Sequence, residues 1–248
     1  MATEVANRPF PKFPKERPIL PEAYQKIYKT HYKRNRDGDT QATSISMRLE
    51  KWLHKKVADD VATLSKNRST LEIGAGTLNQ LQFEPVGDAY DIIEPFKSLF
   101  EHSDELKNIR SVYDDIDEVP IDKKYDRIIS VATFEHILDL PKVVAKSILH
   151  MNDGATMRTS IPNEGTIMWK LGTMVTGFEF KKMYGLPYEV LMKHEHVNDA
   201  FEISEILNYF FEENRTSVFG LNKSLAFYRF IESKKPNIDR AKSYLDSI

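Results

Sequence analysis

From residue 70 the chain alternates short apolar runs with stretches of helical character. The runs are TLEIG (70–74), AYDIIE (89–94), IRSVY (109–113), YDRIISVA (125–132) and ATMRTSIP (155–162). Between them the pattern predicts helices at 77–83, 96–107, 116–119 (short or irregular) and 139–150. Strand and helix in alternation imply a parallel sheet with right-handed crossovers. Runs that are apolar throughout are what a sheet covered by helices on both faces requires.

On either side the pattern changes. Pro9, Pro11, Pro14, Pro18 and Pro21 make residues 1–21 an extended arm. Ala23 to Tyr32 reads as a short aromatic helix and KRNRDGDT (33–40) as a polar loop. Ser44 or Ser46 caps a helix running to about Ser65. The organisation is then an arm and helical cap over 1–66, followed by the main domain over 67–248. After Pro162 the alternation stops, and 163–200 reads as an insertion beyond a strand's carboxyl end, placed to act as a lid over substrate. Ser204 to Glu213 reads as helical. RTSVFGL (215–221) and SLAFYRFIE (224–232), joined by Asn-Lys, read as a hairpin that ends the sheet with an antiparallel strand.

Composition narrows the class. A 41% hydrophobic content over 248 residues suffices for a substantial core, and a formal net charge of −2 gives no global basic field for nucleic acid. Without cysteine, thiol nucleophiles, disulfides and Cys-ligated zinc are excluded. The first twenty residues have no apolar segment of the signal-peptide kind, and no apolar run approaches the roughly 20 residues of a bilayer span. A cytoplasmic protein without a membrane span is expected.

The richest segment is Leu71-Glu72-Ile73-Gly74-Ala75-Gly76-Thr77, a strand entering a glycine turn and then a helix. Glycines there let the backbone approach a ligand closely. The next strand ends in Glu94-Pro95, and an acid at that distance can accept both hydroxyls of a ribose. A dinucleotide fingerprint needs a third glycine, but that position is Asn79. S-adenosylmethionine has a ribose and no phosphate, so the missing glycine favours it over NAD.

With these segments in order, residues 70–232 resemble class I S-adenosylmethionine-dependent methyltransferases of the small-molecule type. The nearest likeness is to ubiquinone-type O-methyltransferases and to those of surface-polysaccharide clusters. The resemblance implies an α/β fold: a Rossmann-like, seven-stranded, mostly parallel sheet with an antiparallel final strand and helices on both faces. It also implies a cofactor site of Glu72, Gly74, Ala75, Gly76, Glu94, Pro95, Asp115, Ile116, Ala132 and Thr133. In that site Asp115, or Asp114 after a one-residue slip, meets the adenine amino group and the Ile116 N–H faces the ring. VATFEHILD resembles the fourth strand and its loop, SIPN the fifth strand's end, and HEHVNDAFEISEILNYFFEE the segment leading to the penultimate helix.

If the acceptor is a hydroxyl, methyl transfer also needs a base. The candidates are Glu135, His136, His194 and His196, and the resemblance favours His196. His194-Glu195-His196 reads as an extended segment presenting two imidazoles to one side with no third ligand, so no metal is expected. The basic arm, with Arg8, Lys12, Lys15 and Arg17, reads as packed on the domain and closing over the site, where its cations meet phosphate on the substrate. The expected reaction is O-methylation of a sugar, nucleotide-sugar or phosphorylated precursor of a surface glycan. N-methylation, a quinone or lipid acceptor, and an RNA-binding or scaffold role remain rivals. Monomer and homodimer both stay open.

Overall fold

A computed structural model describes residues 8–28, 43–61, 68–85 and 89–248. The expected polar loop 33–40 and the parts of the expected first and second helices at 29–32 and 62–65 lie outside these residues. Seven strands form one sheet: β1 (Ser69–Ile73), β2 (Ala89–Ile93), β3 (Ser111–Tyr113), β4 (Tyr125–Val131), β5 (Met151–Pro162), β6 (Phe211–Gly220) and β7 (Ala226–Pro236). Their order is β3-β2-β1-β4-β5-β7-β6. The first five run parallel, and β7 pairs antiparallel with both β5 and β6. This is the Rossmann-like arrangement expected. The order reverses between β1 and β4, and the carboxyl ends of strands flanking such a point are where open α/β sheets bind ligands.

The described helices are α1 (22–28), α2 (Thr43–Val57), α3 (Leu140–Leu149), α4 (Ile167–Tyr184), α5 (Tyr188–Glu195), α6 (Ala200–Phe210) and α7 (Ile238–Asp246). On one face of the sheet, Leu71, Ile73 and Ile128 pack with Val144 of α3, Leu207 of α6 and Tyr244 of α7. On the other, Ile92 and Ile129 pack with Leu53 and Val57 of α2. That second face also holds a buried ionic cluster: Arg127, 1% exposed, reaches Asp60 at 2.8 Å and Glu84 at 2.7 Å. Phe13 of the arm is buried in the first core, so the arm is part of the packing.

Several helices differ from expectation. Residues 96–107 form two 3-10 turns, Lys97–Leu99 and Asp104–Asn108, because extended Ser103 stands between them with its hydroxyl accepting from the Glu105 N–H. A serine that satisfies backbone donors locally competes with a continuous helix. The 77–83 helix is a 3-10 turn, Asn79–Phe83, entered through left-handed Leu78. The helix expected from Ser204 starts at Ala200, because Asp199 and Glu202 form a capping box, and it gives way to β6 at Phe211. The insertion contains the long helix α4 and the short α5. His194 and Glu195 close α5 and His196 caps it, so the extended reading of 194–196 is corrected. The final helix α7, capped by Asn237, was not anticipated.

Candidate active site

Two constellations meet where β1 and β4 end. The first is the glycine turn. Gly74 has φ +75°, and a Cβ placed on it would lie 2.2 Å from Thr133 Cγ2. Only glycine lets this turn pass the loop that follows β4, and Thr133 Oγ1 donates to the Gly74 carbonyl at 3.2 Å. Gly76 also has positive φ, and its N–H donates to Glu94 Oε2 at 2.8 Å. The Phe96 N–H donates to Oε1 of the same carboxylate at 3.0 Å. Glu94 is thus buried and held across from the glycine turn by one donor per oxygen. Each oxygen retains lone-pair capacity for a ribose hydroxyl, so the donor set fits the ribose of S-adenosylmethionine.

The remaining residues of the expected cofactor set divide. Ala132, at φ +49°, and Thr133 follow β4 directly, beside Gly74. Ala75 is buried and Pro95 exposed next to Glu94. Asp115 is exposed and caps a short 3-10 turn by accepting from the Asp117 N–H at 2.9 Å, whereas neighbouring Asp114 faces Lys97 at 3.5 Å. Ile116 is buried in the core. Glu72 is turned away to Tyr90, whose hydroxyl donates to it at 2.8 Å. Burial pushes the Glu72 carboxyl up to about 8, despite the Tyr90 hydrogen bond.

The second constellation gathers Glu135 and His136 after β4, Glu164 after β5, Trp169 on α4, and Glu195 and His196 at the end of α5. The His136 and His196 rings stand 4.8 Å apart, edge to face. His196 Nδ1 lies 3.0 Å from Glu164 Oε1, an oxygen that also accepts from Trp169 Nε1 at 3.0 Å. The Trp169 ring stacks against His196 at 6.2 Å and meets Tyr228 edge-on at 6.0 Å. Burial lowers the His196 pKa, but the Glu164 carboxylate close to Nδ1 and the charges of Glu135 and Glu195 outweigh it, and the net shift is upward. Glu135 is 2% exposed, its pKa is raised by burial, and its Oε2 has no hydrogen-bond partner among the described residues. Tyr228, pushed up to about 12 by burial, is not a base near neutral pH.

Two residues that sequence reasoning did not select, Asn198 and Tyr28, hold this cluster together with Arg17 of the basic arm. Asn198 donates through Nδ2 to the Phe134 and Ile137 carbonyls at 2.8 and 2.7 Å. Arg17 donates to the carbonyls of His136 at 2.8 Å, His194 at 2.5 Å and Glu195 at 3.1 Å. The Tyr28 hydroxyl donates to Glu195 Oε1. The arm therefore does close over the site, but as a strap. Arg17 is taken up by carbonyls, and Lys15 by Glu202 at 2.6 Å and the Val197 carbonyl at 2.7 Å, so both expected phosphate contacts are engaged within the chain. His194 stays outside the cluster, its ring against Tyr28 and its Nδ1 2.7 Å from the Pro18 carbonyl. The His194–His196 pair expected from the sequence is not formed, but ligand atoms of Glu135, His136 and His196 all lie within 4.8 Å of one another.

This sheet order, with a glycine turn after β1 and an acid closing β2, defines a Rossmann-like methyltransferase. Solved structures agree on the fold. A SAM-dependent methyltransferase from Thermotoga maritima, described as a possible histamine N-methyltransferase, aligns with a TM-score of 0.55 at 13% identity over 86% of this chain and 98% of its own. The plantazolicin methyltransferase BpumL, bound to a monoazolic desmethylPZN analogue and SAH, aligns at 0.59 and 12% identity over 87% and 94%. The CurJ carbon methyltransferase aligns at 0.55 and 15% identity over 88% and 62%. No curated protein matches the sequence. The methyltransferase-domain family model matches residues 49–213, and the chain belongs to that family. It is an S-adenosylmethionine-dependent methyltransferase.

Proposed function

We propose that the enzyme methylates a hydroxyl of a small polar acceptor, with His196 receiving the hydroxyl proton. The observation that carries this reading is the His196–Glu164 pair at 3.0 Å, set beside Glu135 and His136 at the end of β4. S-adenosylmethionine supplies an electrophilic methyl on a sulfonium. With Nδ1 facing Glu164, the tautomer protonated at Nδ1 leaves Nε2 as the acceptor nitrogen. As the acceptor oxygen bonds to the methyl carbon and the carbon–sulfur bond breaks, the proton passes to Nε2, and the carboxylate stabilises the imidazolium formed. The resemblance to surface-polysaccharide enzymes supports a sugar or nucleotide-sugar acceptor. With Glu135, Glu164 and Glu195 at the cluster and Arg17 committed to carbonyls, a phosphate on that acceptor would lie away from His196.

A second reading has a divalent ion at the cluster, activating the hydroxyl as a Lewis acid. The buried Glu135 carboxylate favours it: one oxygen, Oε2, has no hydrogen-bond partner among the described residues, the other, Oε1, lies 3.9 Å from His136 Nε2, and ligand atoms of Glu135, His136 and His196 lie within 4.8 Å of one another. One experiment tests the main proposal: incubate the protein with methyl-labelled S-adenosylmethionine and panels of sugars, nucleotide-sugars and amines, then identify labelled products by mass spectrometry. Label on a sugar oxygen is expected. Label found on amines alone overturns the O-methyl reading and leaves the enzyme class intact.

A further inference from the structure

Helix α4 is apolar on two sides. Its inner side is occupied: Phe180 is buried with Leu20, Tyr24 and Leu191, and a Cβ placed on Gly172 would meet Phe227 of β7 at 3.4 Å. Its outer side carries Ile167, Leu171, Met174, Val175 and Phe178, which are 62, 51, 69, 62 and 73% exposed. The spacing i, i+4, i+7, i+8, i+11 puts these five on one stripe, about 16 Å long at ~1.5 Å per residue. A helix apolar all round is ordinarily covered all round, and an exposed stripe of this kind marks a contact surface. Lys170, Lys181 and Lys182 of the same helix are exposed as well. Lys182 lies in line with the stripe at its carboxyl end, and the other two flank it. The β6–β7 turn, with Leu221 88% exposed, is tied to the start of α4 by Asn163 Nδ2 donating to the Lys223 carbonyl at 2.8 Å.

We infer that this face of α4 docks on an anionic lipid surface, seating its apolar stripe among the acyl chains with the three lysines at headgroup level. Lysines beside a row of Leu, Val, Met and Phe are the composition of a helix lying in a bilayer interface. A cover from this chain's own undescribed stretch 29–42 fits poorly, since KTHYKRNRDGDTQA contains no Leu, Ile, Val, Met or Phe to bury against the stripe. No described helix is long and apolar enough to cross a membrane, so the contact is peripheral. Trp169, at the amino-terminal end of the same helix, belongs to the acceptor cluster, so docking would bring the site to the lipid surface.

The full-length protein is co-sedimented with vesicles of phosphatidylcholine alone and of phosphatidylcholine with 30 mol% phosphatidylglycerol. Binding to the second and at least tenfold less to the first is expected, falling as salt is raised. Met174→Glu with Phe178→Glu should abolish binding, and Lys181→Glu with Lys182→Glu should weaken it at least tenfold. Binding of S-adenosylhomocysteine by each variant shows that it is folded. Lys181→Gln with Lys182→Gln, which removes charge without reversing it, serves if the glutamate pair does not fold. Failure to bind anionic vesicles, equal binding to both, or wild-type binding by the folded variants overturns the proposal. So does a stable dimer, seen by sedimentation, that the Met174–Phe178 variant dissociates, because then a second copy covers the stripe.

Discussion

The backbone N–H of Gly76 donates to Oε2 of Glu94 at 2.8 Å, joining the turn after β1 to the carboxylate that closes β2. The Phe96 N–H holds the other oxygen, so the acid is oriented by the chain itself. If Glu94 accepts both ribose hydroxyls, removing it leaves them without a charged acceptor, and hydrogen bonds to charged groups are worth roughly 1.5–3 kcal/mol. Glu94→Ala should weaken S-adenosylhomocysteine binding by about ten- to a hundredfold with the fold retained. Isothermal titration calorimetry and circular dichroism measure the two effects, and unchanged affinity would remove Glu94 from the cofactor site.

Gly74 and Thr133 make a second, steric prediction. Gly74→Ala combines a left-handed backbone with a Cβ placed 2.2 Å from Thr133 Cγ2. Backbone strain of this kind costs on the order of 1–3 kcal/mol before the clash is counted. Thermal unfolding should show a clear loss of stability, together with weaker cofactor binding. In Gly74→Ala with Thr133→Gly the clash is relieved and the strain remains, so part of the loss should return. No recovery in the double variant would mean that the contact with Thr133 is not what makes glycine necessary.

The proposed base predicts a pH signature. The raised pKa of His196 keeps it protonated, and so unable to accept, to a higher pH than a free imidazole near ~6.5. The rate should therefore rise with pH through an apparent pKa above that value. Glu164→Gln removes the neighbouring carboxylate charge that raises the pKa, so the rising limb should move to lower pH while the plateau falls. His196→Ala should lower kcat by roughly 10²–10⁴ and leave cofactor affinity unchanged. A pH profile identical in wild type and Glu164→Gln would dissolve the dyad.

What could be read in the sequence follows from how local each signal is. Strands β1, β2 and β4 are covered on both faces and show as short apolar-rich runs, interrupted only by charges such as Glu72, Asp91 and Arg127 that are themselves buried, and Glu94 closes one of them. Glu135 and His136 are adjacent in the chain, so the resemblance finds them together. The pairing of His196 with Glu164 was not legible, because it depends on how α4 and α5 fold back over β5. Gly172 and Gly177, together with the apolar character of both sides of α4, hid the helix itself. Arg17 and Asn198 act on backbone carbonyls far away in sequence, and no residue pattern announces such partners. The resemblance favours His196 over His194, but only the end of α5 shows that one turns toward the arm and the other toward Trp169.

Metal dependence separates the two readings of the cluster. If His196 acts as a base, treatment with EDTA should leave turnover within about twofold of the untreated enzyme, and added magnesium, manganese or zinc should not raise it. Lewis-acid activation of a hydroxyl is worth several kcal/mol, so its loss could not pass unnoticed. Loss of turnover on chelation, restored by one of these ions and absent in Glu135→Gln, would establish the ion at Glu135, His136 and His196.

Arg17 tests whether the arm positions the site. One guanidinium reaches the carbonyls of His136, His194 and Glu195, which come from the loop after β4 and the end of α5, the two segments that form the cluster. Its planar set of donors can serve several acceptors at once, whereas a lysine ammonium is a compact charge on a flexible stem. Arg17→Ala should release the end of α5 from the loop after β4 and misplace His196 against His136. A displacement of about 1 Å in such an arrangement can cost on the order of a hundredfold in rate. The expected result is a fall in kcat/KM of roughly ten- to a hundredfold with S-adenosylhomocysteine affinity unchanged, since Glu94 and the glycine turn are untouched. Arg17→Lys should recover only part of the loss. Because Arg17 acts by holding His196 and not by touching substrate, Arg17→Ala in a His196→Ala background should cost much less than it does alone. Full additivity of the two substitutions would mean that the strap and the base act independently.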